Sequence, residues 1–398
     1  MSLAATPRLS VEQLTPIVER ALGTPAVPTE WSLSPLRRSA GVATGGAYLV
    51  SGTAHDSCGA SSPGGRPPAL RWSAVLKILR PPAAGSRHAE GARQPDHFAY
   101  WKREPELYAS GLLDALAGTP DALAAPRCLR VETPRPDETW LWLEHLEDAH
   151  PHDWQRDRYL LAARHLGASG GLFVSPGGSH PLLDHPWLGR AYFRQRFAQA
   201  ERDGGWPLFA DGTTWSHPLV RAAGFPPNAG PRLLKIWERR HALLDALDAL
   251  PQTLRHGDAH RHNLIARREP DGTDRTIAID WGSAGIGAIG MDLLDLAHGA
   301  LPVLARDPSD ALALAGDLFT HYAAGLAQTA PAASSGAARH GYAVGVTLAI
   351  ASRLHWLLPR LLTQPEQDAA LQLRRAANTT YATLALAEEA LSVSAATR

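Results

Sequence analysis

Three oxygen-bearing side chains set the chemistry this chain could perform. The segment Leu254–Leu264, LRHGDAHRHNL, holds Asp258 and, five residues later, Asn263, with His256 and His260 interleaved. Further on, the β-like run Thr276–Asp280, TIAID, ends on a second carboxylate, Asp280, followed by Trp281 and Gly282. Phosphoryl transfer uses such a set: one carboxylate accepts the proton of an attacking hydroxyl, while an amide oxygen and another carboxylate hold Mg2+ on phosphates. Catalysis of this kind is mostly positioning and charge neutralisation, so a few oxygen ligands on rigid turns suffice. Mg2+ needs few protein oxygens when phosphate supplies the rest. Asp258 is therefore assigned as the base, and Asn263 and Asp280 as metal ligands. A lone His-x-Asp or Asp-Trp-Gly carries little information; the ordered set carries the assignment.

HGDAHRHN resembles the catalytic loop of the aminoglycoside phosphotransferase and choline kinase superfamily, H-G-D-x-H-x-x-N. Protein kinases carry the related H-R-D-x-x-x-x-N. Gly257 in the second position, and His260 where protein kinases usually have lysine, favour the small-molecule branch. IDWGSAGIGAIGMDL likewise resembles that family's metal-binding segment, with Asp280-Trp281, Gly287 and Asp292-Leu293 at the matching positions. The resemblance implies a bilobal, protein-kinase-like α+β fold. It also implies an Mg2+-requiring enzyme that moves the γ-phosphoryl group of ATP or GTP onto the hydroxyl of a small molecule. Asp292 is then a brace for the catalytic loop, and His256 and His260 are further supports of the site.

The N-terminal part must hold the nucleotide. In Trp72–Leu79, WSAVLKIL, Lys77 interrupts an apolar strand, and a buried ammonium needs an anionic partner. Nucleotide phosphates and a glutamate on the next helix are the partners the phosphoryl-transfer template offers. Glu104 stands at the expected distance, with Glu106 as the alternative. The Gly41–Gly46 turn, with Gly45 and Gly46, could bring backbone N–H groups to the phosphates, although it is not G-x-G-x-x-G. No G-x-x-x-x-G-K-[ST] occurs, which excludes the P-loop route. The strand ending at Glu144 resembles the hinge between lobes, with backbone groups from Glu144 to Leu146 facing the adenine edge.

Several elements must position these residues. Residues 10–22 read as a helix capped by Ser10, and glycine-punctuated alternation from Trp31 to Val50 reads as two strands. Residues 51–69 read as a loop, Trp72–Leu79 as a strand, and 97–117 as a helix kinked or started by Pro105. Strands at Leu129–Glu132 and Thr139–Glu144 complete a β-β-β-α-β-β order. Beyond them helices are expected near 154–166, 187–203, 231–250, 289–303, 309–327, 339–358 and 366–391, with Thr276–Asp280 as the one strand. The expected division is a helical extension over 1–28, a nucleotide-binding lobe over 29–145 and a catalytic, acceptor-binding lobe over 146–398.

The bulk properties fit this plan. A chain of 398 residues exceeds what one core usually organises. Lys plus Arg and Asp plus Glu each total 39, so no global charge calls for nucleic acid or an anionic membrane. Two cysteines exclude a disulfide framework, and no 18-residue apolar run or signal-like N-terminus occurs, which gives the expectation of a cytoplasmic protein. Residues 151–250 hold nine acidic and twelve basic side chains, plus Trp154, Trp187, Trp206, Trp215 and Trp237. A polycationic aminoglycoside would want an acidic funnel; this lining suits a sugar, a macrolide or a modestly charged metabolite better. In SRLHWLLPRLL, His355 and Trp356 lie on a helix that could border the acceptor. Two other readings stand beside this one. A nucleotide-binding scaffold without activity is opposed by the complete set of base and metal ligands. A protein kinase is opposed by the short Asp280–Asp292 stretch and the lack of A-P-E after it.

Overall fold

The computed structural model describes residues 7–36, 44–57, 69–86, 88–152, 154–175, 178–204, 206–363 and 368–396. Helix α1 (Val11–Leu22) starts at Ser10, whose hydroxyl accepts the Gln13 N–H at 3.3 Å while Gln13 accepts the Ser10 N–H at 3.0 Å. Leu14, Ile17 and Val18 fall on one face and are fully buried with Val50, Trp72, Leu76 and Trp142 of the sheet. The helix thus shares the core of the first lobe.

That sheet comprises β1 (Ala26–Pro35), β2 (Thr44–Asp56), β3 (Leu70–Leu79), β4 (Cys128–Arg135) and β5 (Glu138–Glu144). All neighbours are antiparallel, in the order β1-β2-β3-β5-β4. Strand period then sorts the side chains by face. Trp72, Ala74, Leu76 and Ile78 of β3, with Trp140 and Trp142 of β5, join the core under α1. Val75, Lys77 and Leu79, with Leu141 and Leu143, turn to the opposite face. Residues 51–56, expected as loop, continue β2 because they pair with β1 and β3. The expected helix over 97–117 is two short ones, α2 (Arg103–Ala109) and α3 (Leu112–Ala117), parted at Gly111 with φ 76°. Pro105 sits in the first turn of α2, where its missing N–H forfeits no intrahelical bond.

The second lobe is mostly helical. It contains α4 (Arg156–Leu172), a two-residue strand pair β6 (Val174–Ser175) and β7 (Gly178–Ser179), and α5 (Tyr192–Asp203). Short helices α6 (Pro207–Ala210), α7 (Gly212–Ser216), α8 (Pro218–Ala223), α9 (Ala229–Glu238) and α10 (Arg240–Asp248) follow. Four strands come next, β8 (Gln252–Arg255), β9 (Leu264–Arg268), β10 (Asp274–Ala278) and β11 (Gly285–Ala288), and then α11 (Leu293–Leu304), α12 (Pro308–Thr329), α13 (Ser335–Thr363) and α14 (Ala369–Ala396). Where one strand was expected there are two antiparallel pairs, β8 with β11 and β9 with β10. Apolar runs this short have no period long enough to separate strand from helix. Among the described residues no helix is long and apolar enough to cross a membrane.

Helices α4 and α12 meet at backbone distance. A Cβ on Gly167 would lie 1.9 Å from the Tyr322 carbonyl oxygen, and one on Gly325 would lie 1.9 Å from that of Arg164. Gly316, on the same α12, has open space around its Cβ position. The two glycines therefore predict opposite signs. Gly316→Ala should stabilise by up to about 1 kcal/mol through helix propensity. Gly325→Ala should destabilise by about 1–3 kcal/mol through overpacking. Urea unfolding checks both, and a Gly325→Ala midpoint at or above wild type would contradict the close packing.

Candidate active site

The catalytic loop spans the gap between β8 and β9, and ends in the single 3-10 turn Arg261–Asn263. Its path requires Gly257, whose φ is 76° and whose Cβ position lies 2.2 Å from the Ser283 carbonyl oxygen. Asp292, at the start of α11, accepts the N–H groups of both His256 and Gly257 at 3.1 Å. His256 is 1% exposed and packs its ring 4.5 Å from that of Trp281. Its Nε2 donates to the Ile279 carbonyl at 3.0 Å, and its Nδ1 accepts the Asp258 N–H at 3.2 Å. Those two partners need the neutral ring with its proton on Nε2. Burial favours the same state, pushing the imidazole below its ordinary range against the pull of Asp292 and Asp258. His256 thereby fixes the backbone from which Asp258 projects.

Asn263 donates its Nδ2 to the Asp258 carboxylate at 2.9 Å and to the Asp258 carbonyl at 3.0 Å. Burial raises the Asp258 carboxyl above the ordinary range; the nearby Asp280 charge adds to this, while His256 and Asn263 oppose it. His260 Nε2 lies 3.5 Å from the other Asp258 oxygen.

Lys77 joins the two lobes. Its ammonium pairs with Glu104 of α2 and with Asp280 Oδ1 at 2.6 Å. Glu104 is 2% exposed, and its other oxygen accepts the Trp281 N–H at 3.2 Å. Burial works against the Lys77 charge, but the two carboxylates outweigh it and hold the ammonium above its ordinary range. Burial raises Glu104, countered by Lys77. For Asp280 the Lys77 charge and hydrogen bond win over burial, and its carboxyl is lowered. Asp280 also holds a left-handed backbone, φ 62° and ψ 61°, an uncommon conformation for a residue with a side chain. Glu106, the other glutamate considered for Lys77, instead accepts the Tyr100 hydroxyl at 2.8 Å.

Two clefts meet at Asp258. The first, about 590 Å³, carries Lys77, Glu104, Asn263 and Asp280, and is walled by Ala47 and Val75 above and by Ile265 and Ile279 below. Glu144, His145 and Leu146 close its rear. The Glu144 carboxylate is engaged by the Arg127 backbone N–H and Nε, both at 2.8 Å, so its side chain fastens the hinge. The second cleft, about 720 Å³, is lined by residues of the second lobe alone, among them Trp154, His355 and Trp356. Asp258, His260 and His262 belong to both.

Gly45 and Gly46 do not join this group. They form a register break at the start of β2 against Leu79 and Ile78, and the cleft is lined by Ala47 instead. A Cβ on Gly46 would strike the Tyr48 ring at 2.9 Å, so that glycine answers to local packing. Gly41, Val42 and Ala43 lie outside the described residues. Of the five tryptophans in 151–250, only Trp154 lines the second cleft. Trp187 and Trp237 are buried in the core, Trp206 stacks on Trp237 at 4.5 Å, and Trp215 donates to the Phe209 carbonyl at 3.0 Å.

Sequence reasoning passed over Arg103, which is 1% exposed and donates to the carbonyls of Trp187 and Phe98 at 2.9 Å and of Gly282 at 3.2 Å. It anchors α2 to the Trp281 turn, and its only signal was its place beside Glu104. Asp295 and Arg353, both on the second cleft, were also missed. Asp295 is one helical turn beyond Asp292, and Arg353 lies within the SRLHW segment already singled out.

A five-stranded antiparallel lobe above a mostly helical one, with the cleft between them, is the bilobal α+β plan of the kinase-like phosphotransferases. The description "Phosphotransferase enzyme family" belongs to the family model that matches residues 68–332, and the chain belongs to that family. An aminoglycoside phosphotransferase from Alicyclobacillus acidocaldarius superposes with a TM-score of 0.52 at 13% identity, over 98% of this chain and 99% of that one. A microcompartment-associated aminopropanol kinase matches with a TM-score of 0.49 at 17% identity, over 92% and 94% of the two chains. No curated relative matches by sequence.

The Asp292 contacts predict a stability effect. Asp292→Ala leaves two buried N–H donors unpaired and should cost on the order of 3 kcal/mol. Asp292→Asn, which keeps one acceptor oxygen, should recover part of that loss. Chemical denaturation of the three proteins measures it, and an alanine variant as stable as wild type would show that the loop holds its shape without the brace.

Proposed function

We propose that the protein is an Mg2+-dependent small-molecule O-phosphotransferase that uses ATP or GTP, with Asp258 orienting and deprotonating the acceptor hydroxyl. The observation that carries this reading is the position of Asp258 on the wall shared by two clefts. One cleft carries the Lys77 ammonium beside the oxygens of Asn263 and Asp280, and the other combines aromatic walls with arginine and aspartate side chains. A hydroxyl in the second cleft and a phosphoryl group in the first can therefore meet at one carboxylate. Its raised proton affinity, from burial and the Asp280 charge, suits a general base.

The first cleft fits a nucleotide in its shape and its donors. Ala47 and Val75 face Ile265 and Ile279 across an apolar slot, which suits a purine ring. Among the described residues no hydrogen bond engages the Leu146 backbone, which leaves its N–H and carbonyl for the base edge. Lys77, held from one side by Glu104, would present its ammonium to the α- and β-phosphates.

The donor set also suits Mg2+. Because Nδ2 of Asn263 is committed to Asp258, its amide oxygen is left as an acceptor. Asp280 is 46% exposed and pairs with Lys77 through Oδ1, so Oδ2 remains for a second contact. Both are the hard oxygen donors this cation takes. Bound there, Mg2+ would neutralise phosphate charge as it builds in transfer.

Two measurements test the assignment. Asp258→Asn should lower kcat by about 10²–10⁴-fold, the usual worth of a general base, with nucleotide affinity nearly unchanged. Wild-type turnover in that variant would remove Asp258 from the role. The pH profile of kcat, taken with nucleotide and acceptor saturating, should fall on acidification as Asp258 gains its proton. Since the folded carboxyl is raised, the fall should be centred above the ordinary aspartate value of about 4. A profile flat down to that pH would contradict a raised base.

A further inference from the structure

We propose that the acceptor is an acid, a hydroxylated molecule whose carboxylate is held in the second cleft by Arg353 with Arg196 as a second cation; this rests on the phosphotransferase reading above. The cleft combines an aromatic body with charges the protein leaves unmatched. Trp154, Tyr159, Tyr192 and Phe193 form walls, and Trp356 stands 51% exposed at the lip. Three guanidinium groups face this space, on Arg196, Arg261 and Arg353. Arg261 is fully engaged, 3.1 Å from Asp148 and bonded to the His150 carbonyl at 2.8 Å. Arg196 and Arg353 have no carboxylate within ion-pair distance and no hydrogen bond among the described residues.

Acidic partners in the cleft are few. Asp258 is tied to Asn263 and to its catalytic position. Asp295, on α11, is the other carboxyl of the lining. Burial shifts it well above the ordinary range, toward the neutral form, against the opposing charges of Arg255 and Arg353. His298, one turn further along α11, is 9% exposed with its Nε2 buried and unpartnered. Burial and the Arg353 charge push that imidazole down to about 3, so it is neutral as well. The cleft thus offers two guanidiniums without a carboxylate partner, Arg196 also lying over the Phe98 ring at 5.6 Å.

Ligand charge follows from this imbalance. A polycationic acceptor would meet the Arg196 and Arg353 charges, with Asp258 and Asp295 as the carboxyls of the lining. A carboxylate completes both guanidiniums, and the planar Arg fork matches its two oxygens. Arg353 is exposed on the cleft and Arg196 half-buried, so a ligand carboxylate could reach both guanidiniums without displacing a protein carboxylate.

A matched set of probes tests the proposal. 3-(4-Hydroxyphenyl)propionate, its carboxamide and tyramine share one hydroxylated aromatic body and differ in the charge of the tail. Calorimetric titration into the full chain, with Mg2+ and AMP-PNP present, should show the acid binding about tenfold or more tighter than the amide, with tyramine weakest. Arg353→Gln should bring acid and amide to within about twofold of each other; Arg196→Gln should narrow the gap less, and stands in should the first variant fail to fold. Amide or tyramine binding as tightly as the acid, no binding by any of the three, or an unchanged preference in the variants would each overturn the proposal. AMP-PNP binding, titrated separately, keeps the two readings apart. Nucleotide binding without acid preference defeats the acid acceptor alone, and failure to bind nucleotide defeats the phosphotransferase reading beneath it.

Discussion

The Lys77 ammonium, buried between Glu104 and Asp280, is the interaction on which the rest of the site depends. Its three members come from β3, from α2 and from the turn after β10, so one cation ties the sheet of the first lobe to the catalytic segment of the second. A buried charge persists only if paired, and removing one partner strands the others. Glu104 extends the tie by accepting the Trp281 N–H, and Arg103 repeats it by donating to the Gly282 carbonyl. Adjacent residues on α2 thus grip the same turn, one through a carboxylate and one through a guanidinium. The cleft keeps its shape because the groups that would hold phosphate also hold the lobes together.

From that arrangement the two aspartates take opposite character. Asp280 has Lys77 against it and is lowered, so it stays ionised as a ligand should. Asp258 has no lysine or arginine in contact; burial and the Asp280 charge raise it, as would suit the base proposed for it. Two carboxyls in one cleft are separated by environment alone, which is how acid–base roles are commonly divided. The supports serve that division. Asp292 fixes the loop through two N–H groups, and His256 fixes it through both ring nitrogens.

How legible each part was in the sequence depends on whether its constraint is local. Gly257 was readable only as a position in the motif; the left-handed turn against the Ser283 carbonyl that requires it depends on a distant segment. Lys77 was readable because a charge inside an apolar strand demands a partner, and α1 because its cap and its apolar spacing agree. Strands β8, β9 and β11 were not, since four or five residues carry no period, and their pairing comes from tertiary contact. Gly45 and Gly46 were ambiguous for a physical reason: glycine serves a β-bulge against Ile78 as well as it serves a phosphate loop. The tryptophans were readable as core or as lining, because large aromatics are useful to a core whether or not a ligand is near.

The second cleft was least legible, and its construction explains why. It is lined only by residues from Trp154 onward, gathered from α5, α11, α13 and the catalytic loop, so no single segment spells it out. Arg353 lies on a helix whose neighbours are mostly buried and apolar, where one cation has no periodic signature. Under the proposed function the same construction would separate acceptor choice from phosphoryl chemistry: faces of α5 and α13 can change without touching Lys77, Glu104 or Asp280. Helix α11 is the exception. Asp292 at its start braces the His256–Gly257 turn, and Asp295 and His298 on its next turns line the second cleft. A shift of α11 to suit a different acceptor would therefore move the brace as well. Any change of acceptor that displaces α11 is coupled, through two backbone hydrogen bonds, to the position of Asp258.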